Sequence, residues 1–130
     1  MRKLLGIIPL FLLVTAGAFA ANAYPDISQD ELKQAIADKS VVLLDANGSD
    51  SYQAGHIPGA IDYAANKDHL ASLLPANKYQ LVVAYCGGVK CTAYQAAADA
   101  AVKLGYMNVR HFAPGISGWK QSGEKTEKGT

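Results

Sequence analysis

Leu81-Val82-Val83-Ala84-Tyr85-Cys86-Gly87-Gly88-Val89-Lys90-Cys91-Thr92 reads as an apolar strand, a small-residue turn opening on a cysteine, and the approach to a helix. The helix is expected from about Thr92 to Leu104, on alanines at 93, 96, 97, 100 and 101 with Leu104, and Gly105 stops it. A connection this short must curl if strand and helix are to pack together. Its N–H groups then point inward, toward the unpaired amides of the helix's first turn. Such a concavity attracts anions. A thiol at its rim feels the positive end of the helix dipole, which favours the thiolate. Cys86 is therefore a candidate nucleophile by position, and Gly87, Gly88, Val89, Lys90, Cys91 and Thr92 are its candidate anion cradle.

Upstream, Ser28-Gln29-Asp30-Glu31 has capping-box spacing, and a helix is expected over Gln29–Ala37. Val41-Val42-Leu43-Leu44 is continuously apolar, as in a strand buried on both faces, and ends at Asp45. Asn47-Gly48-Ser49-Asp50 is turn chemistry, with a short helical turn over Ser51–Ala54, and His56-Ile57-Pro58-Gly59-Ala60-Ile61-Asp62 turns into a short strand. A helix over Asp68–Leu74, closed by Pro75, precedes the central strand at Gln80–Tyr85. Asn108–Phe112 reads as a further strand and Gly115–Lys120 as a terminal helical turn anchored by Trp119. Short apolar strands alternating with helices indicate an α/β domain with a mostly parallel sheet. Sites in such sheets lie at the carboxyl ends of strands, which is where Asp45 and Cys86 both fall.

The chain has 130 residues and begins Met1-Arg2-Lys3, followed by an apolar run from Leu4 to Ala20. Ala18-Phe19-Ala20 and Ala21-Asn22-Ala23 both fit the small-x-small cleavage rule, so residues 1–20 read as a signal peptide cut after Ala20 or after Ala23. The alternative is an uncleaved anchor. A periplasmic or secreted domain over residues 24–122 is expected, with a flexible tail at 123–130. Loss of Arg2 and Lys3 takes the formal net charge from +1 to −1, which gives no reason to expect nucleic acid as a partner, and no other stretch suits a membrane. Both cysteines lie in one short loop, where a bridge would contribute little stability, so chemistry explains the pair better than stapling. Cys91 either packs at the helix start or acts as a resolving thiol. His69 and His111 have no partners at metal-ligand spacing, and no metal or other cofactor is expected.

Three blocks carry a family resemblance: Leu44-Asp45 with Tyr52-Gln53-Ala54-Gly55-His56-Ile57-Pro58-Gly59-Ala60-Ile61, Tyr85-Cys86 with the loop and alanine-rich helix to Tyr106, and Pro114-Gly115-Ile116-Ser117-Gly118-Trp119. In order and at these separations, they resemble a single-domain rhodanese-like protein. The resemblance implies a central five-stranded, mostly parallel sheet with helices on both faces. It also implies a sulfurtransferase, in which Cys86 takes a sulfane sulfur from thiosulfate or a persulfide donor and passes it to a thiol or cyanide. Asp45 and His56 are then supporting residues, His56 pinning its turn, and the expected partners are a small sulfur donor, a thiol acceptor and a redox partner protein. The chain departs from the family pattern at Asn47, Val89, Cys91 and Pro114. A phosphatase on the same fold would place an arginine where Thr92 stands, which disfavours that reading. A Cys86/Cys91 dithiol–disulfide module, redox-sensing and not catalytic, is the other alternative.

Overall fold

The computed structural model describes residues 24–129, so the expected signal peptide lies outside the described residues. Helix α1, Gln29–Ala37, starts at the capping box: Glu31 N–H donates to Ser28 Oγ at 3.2 Å, and Ser28 N–H donates to Glu31 Oε2 at 3.0 Å. The reciprocal pair satisfies two of the helix's orphan donors and sets its first turn. Its apolar stripe, through Leu32 and Ala35, turns to the core.

Strand β1, Val41–Asp45, is followed by α2, Ser49–Ala54, β2, Ile61–Asp62, and α3, Tyr63–Asn66. A 3₁₀ segment, Lys67–Ser72, leads to β3, Leu81–Tyr85; then come α4, Tyr94–Lys103, β4, Asn108–His111, and α5, Gly115–Gln121. The strands pair in the order β2-β1-β3-β4, all parallel. Four strands are formed among the described residues. A fifth position exists as a single parallel bridge, Asp26 to His111, with Ile27 N–H donating to His111 O at 2.9 Å beyond β4. Pro25 has no N–H to extend that pairing, and α1 begins three residues after Asp26, so the edge segment stays short.

Alternation along β3 divides the core in two. Val82, Ala84 and Cys86 face α4 together with Leu44, Ala97, Ala98 and Ala101. Val83 and Tyr85 face the other side with Leu32, Leu43, Ile57, Phe112, Ile116 and Trp119. Helices thus cover both faces. The alanines of α4 bring its backbone close to the sheet, but the buried face is Tyr94, Ala97, Ala98 and Ala101 in place of one running through Ala93 and Ala96. Alanines surround this helix, so periodicity among them selects no face; the bulky Tyr94 at its start does.

The helix expected over Asp68–Leu74 is instead the 3₁₀ segment ending at Ser72, with a non-helical break at His69, and the short α3 before it was not expected. Leu70 and Leu74 are buried there, while Leu73 is 45% exposed. The segment expected as a tail makes contacts of its own. Residues 124–129 run back over the turn at His56: the two backbones of His56 and Glu127 exchange hydrogen bonds at 2.9 Å, and Trp119 Nε1 donates to Lys125 O at 2.8 Å. Polar composition does not reveal this, because backbone groups and one indole N–H make the attachment. No helix among the described residues is long and apolar enough to cross a membrane.

Candidate functional site

The register sets Asp45 beside Tyr85 at the carboxyl edge of the sheet, so the next residue, Cys86, leaves the centre of that edge. Cys86 is 1% exposed, and its Sγ is bonded to Cys91 Sγ with the Cα atoms 6.2 Å apart. That separation is ordinary for a disulfide. Between them Cys91 N–H donates to Gly88 O at 3.1 Å, a turn that folds the outer limb of the loop back over the inner one.

The loop is held from beneath by the start of α5. Ile116 N–H donates to Cys86 O at 2.9 Å and Ser117 N–H to Gly87 O at 3.0 Å. In a trans peptide the carbonyl and the following N–H point opposite ways. Holding these two carbonyls against α5 therefore turns the N–H groups of Gly87 and Gly88 away from it. Among the described residues, the amides of Gly87, Gly88, Val89, Lys90 and Thr92 have no protein acceptor, whereas that of Cys91 does. The cradle expected from the sequence is thus a loop with uncommitted donors.

Gly115 makes the contact possible. Its φ is +60°, and a Cβ there would lie 2.4 Å from Cys86 O and 2.8 Å from Gly88 N. Both the left-handed backbone and the close approach require glycine. The loop residues Gly87 to Cys91, with Pro114, Ser117, Gly118 and Gln121, line an open cavity of ≈ 480 Å³. Lys90 and Val89 stand exposed at its rim, Val89 by 79%.

Asp45 is 1% exposed. Asn47 N–H donates to its Oδ1 at 2.8 Å, and the Tyr85 hydroxyl donates to its Oδ2 at 2.7 Å. Burial pushes the Asp45 carboxyl above its usual range, and these hydrogen bonds counter it in part. Burial beside Asp45 also pushes the Tyr85 phenol up, so it stays a donor. Ile57 N–H in turn donates to the Tyr85 oxygen at 3.1 Å. This chain of bonds ties the turn after His56 to the strand that delivers Cys86.

His56 lies flat on the Tyr52 ring, centroids 3.7 Å apart, with Nδ1 2.7 Å from Tyr52 O and Nε2 3.7 Å from Glu127 Oε2. The Tyr52 hydroxyl donates to Ala60 O at 2.7 Å, which closes the turn. His56 is thus joined to its turn and to the C-terminal segment. His111, 5% exposed, stacks on Tyr94 with centroids 3.4 Å apart, and burial holds its imidazole below the usual histidine range, Asp26 opposing. No cluster of three or more His, Cys, Asp or Glu among the described residues is arranged to hold a metal ion.

Sequence reasoning missed the Tyr85 hydroxyl, Gly115 and Glu127. Tyrosine closing an otherwise aliphatic strand was a legible signal, since a buried phenol needs a partner. Gly115 stands in the third sequence block, but its contact, like that of Glu127, is distant in sequence and left no local mark.

A family model for the rhodanese-like domain matches residues 28–122. The tRNA uridine(34) hydroxylase of Staphylococcus haemolyticus is 35% identical over 97 residues, covering 69% of this chain and 29% of that protein. The HTH-type transcriptional regulator Rv0324 of Mycobacterium tuberculosis is 33% identical over 105 residues, covering 79% of this chain and 45% of that protein. The chain spans less than half the length of either relative. Among solved structures, the thiosulfate sulfurtransferase of Pseudomonas aeruginosa superposes with a TM-score of 0.67 at 26% identity, over 82% of this chain and 21% of that one. SseA of Escherichia coli, a 3-mercaptopyruvate sulfotransferase structure, gives a TM-score of 0.65 at 23% identity, over 81% of this chain and 50% of that one, a likeness of fold. With the model matched over both sequence blocks that frame the Cys86 loop, and the loop itself seated at the carboxyl edge of a parallel α/β sheet, the chain belongs to the rhodanese-like domain family.

Proposed function

We propose that the protein is a sulfurtransferase working through a Cys86 persulfide. The observation that carries this is the loop itself: a cysteine at the end of the central strand, followed by amides that have no acceptor among the described residues. In the reduced protein the Cys86 thiolate attacks the outer sulfur of thiosulfate; a carbon-free S–S bond breaks, sulfite leaves with its electron pair, and Cys86–S–S⁻ remains. Preorganised loop N–H groups stabilise that anion without reorganising. A thiol or cyanide then takes the terminal sulfur and returns the thiolate. Lys90 at the rim draws an anionic donor toward the loop. The similarity to a thiosulfate sulfurtransferase supports this chemistry. The tRNA hydroxylase relatives share too small a part of their length to carry their activity here.

A second reading has its own support. The Cys86–Cys91 bond favours a dithiol–disulfide module that senses redox state without moving sulfur. Intact mass of the reduced Cys91→Ser protein after thiosulfate or glutathione persulfide separates the two. The expected result is one added sulfur, absent when Cys86 is also replaced and released by cyanide as thiocyanate. No added sulfur from either donor would overturn the transferase.

The apolar run at Leu4–Ala20 supports a further part of the proposal, that the protein is exported and acts in the periplasm or outside the cell. N-terminal sequencing of the mature protein from the envelope fraction tests this; a start at Ala21 or Tyr24 is expected, and an intact Met1 in the cytoplasm would refute it.

A further inference from the structure

We infer that the chain also reduces the persulfide it forms: Cys91 displaces sulfide from Cys86, and a thiol reductant then enters at Cys91 and not at Cys86. The inference rests on the sulfur-transfer reading. Its first support is that the folded loop carries the two sulfurs into contact, the turn at Gly88–Cys91 bringing the outer limb back over the inner one. In the reduced, sulfur-loaded protein the Cys91 thiolate attacks Cys86 Sγ. The Cys86–Cys91 bond forms, the bond to the outer sulfur breaks, and hydrosulfide leaves with the electron pair. The persulfide sulfur is reduced and the two cysteines are oxidised.

The second support is the difference between the two sulfur environments. Which sulfur of a disulfide a thiolate bonds depends on access to it. Cys86 is 1% exposed, packed with Leu44, Ala84, Tyr94 and Ala97, and backbone-anchored by β3 and by Ile116. It does not line the cavity. Cys91 is half-buried and does line it, beside Lys90, Ser117 and Gln121. An incoming thiol therefore has access to Cys91 from the cavity, while Cys86 is covered.

When an external thiolate bonds to Cys91 Sγ, the Cys86–Cys91 bond breaks and Cys86 departs as a thiolate. A second thiol then attacks the outer sulfur of the mixed disulfide, releasing Cys91 thiolate and an oxidised reductant. Two electrons have come from two thiols, supplied either by two molecules of a small monothiol or by one protein dithiol. The reaction that must accompany this one is therefore a thiol-regenerating reduction.

The test uses the oxidised wild-type protein. Reduced glutathione serves as the small probe and a thioredoxin lacking its second cysteine as the protein probe, each quenched in acid, alkylated with N-ethylmaleimide and mapped by peptide mass. The expected adduct is on Cys91, with maleimide on Cys86, by about tenfold or more over the reverse. Whichever probe forms it names the source of electrons. Adducts on Cys86, or spread evenly, overturn the inference, as does failure of both probes to open the bond. In a second arm, reduced protein is loaded with glutathione persulfide and sulfide is measured. Wild type releases sulfide and ends as the disulfide, while Cys91→Ser retains its sulfur; equal retention in both overturns the resolving step. If Cys91→Ser takes up no sulfur at all, the transferase reading has failed, while an adduct on Cys91 in the first arm still marks it as the reductant's entry point.

Discussion

Asp45 is a carboxylate buried at the end of a strand, and its chemistry follows from what neutralises the cost. One backbone N–H and one phenol donate to it, yet burial still leaves its protonated form favoured relative to an exposed aspartate. Above the ordinary aspartate pKa of about 3.9, the folded protein holds a proton that the unfolded chain has already released. Folding stability linked to this group is therefore greatest at low pH and falls as pH rises through the raised folded value. Asp45→Asn removes that dependence, so its stability relative to wild type should improve between pH 3.5 and pH 7 in urea titrations; a constant difference would contradict the assignment. His111 has the opposite sign. Its imidazole resists protonation when folded, so wild type loses stability as pH drops below about 6.5, where the unfolded chain takes up a proton. Neither ring nitrogen has a hydrogen-bond partner, so His111→Phe keeps the stack on Tyr94 without sacrificing one. Thermal melts at pH 7 and pH 5 should show a smaller difference in the variant.

At the scale of elements, the first turn of α5 is the part on which the Cys86 loop rests. Gly115→Ala places a methyl against the backbone at Cys86 and Gly88 and forces a left-handed residue, a combined cost of about 2–5 kcal/mol. Melting should fall by more than about 8 °C, and any folded protein that remains should take up sulfur more slowly, because the loop's amides have been displaced. An unchanged melt would mean the loop relaxes freely and is not held by α5. The cap of α1 provides a contrast at the same scale. Ser28→Ala should cost about 1 kcal/mol and leave sulfur uptake unchanged, since that helix packs against the sheet and does not reach the cysteine loop.

For the molecule as a whole, two closures decide behaviour. The disulfide spans five positions in sequence, so breaking it should cost no more than about 2 kcal/mol, and the reduced domain should stay folded. Paired melts with and without dithiothreitol check this, and unfolding on reduction would rule out a working redox cycle. The second closure is the C-terminal segment, which joins α5 to the turn at His56 through the Glu127 backbone and the Trp119 indole. A chain ending at Gly123 loses those hydrogen bonds and should be less stable by about 1–3 kcal/mol in urea. Because α5 also holds the loop, sulfur uptake should fall along with stability; loss of neither would show the segment to be dispensable.

Strand and helix identities were legible in the sequence because each rests on local chemistry: the apolar run at Val82–Tyr85, the Ser28–Glu31 cap, the glycine stop at Gly105. Cys86 was legible for the same reason, since a cysteine at the end of a buried strand and before glycines has one place to go. Local patterns could not settle which face of the alanine-rich α4 turns inward, because alanines lie on most sides and the long-range packing of Tyr94 chooses. Nor could they show that residues 124–129 lie against the His56 turn, that Gly115 must be glycine beneath Cys86, or that Cys91 and not Cys86 faces the cavity. Those are contacts between segments far apart in the chain. The sequence by itself determined most of the elements and the place of Cys86 at the end of the central strand; the tertiary structure decided which surfaces meet and which sulfur an incoming molecule can reach, because exposure belongs to the packed whole and to no residue alone.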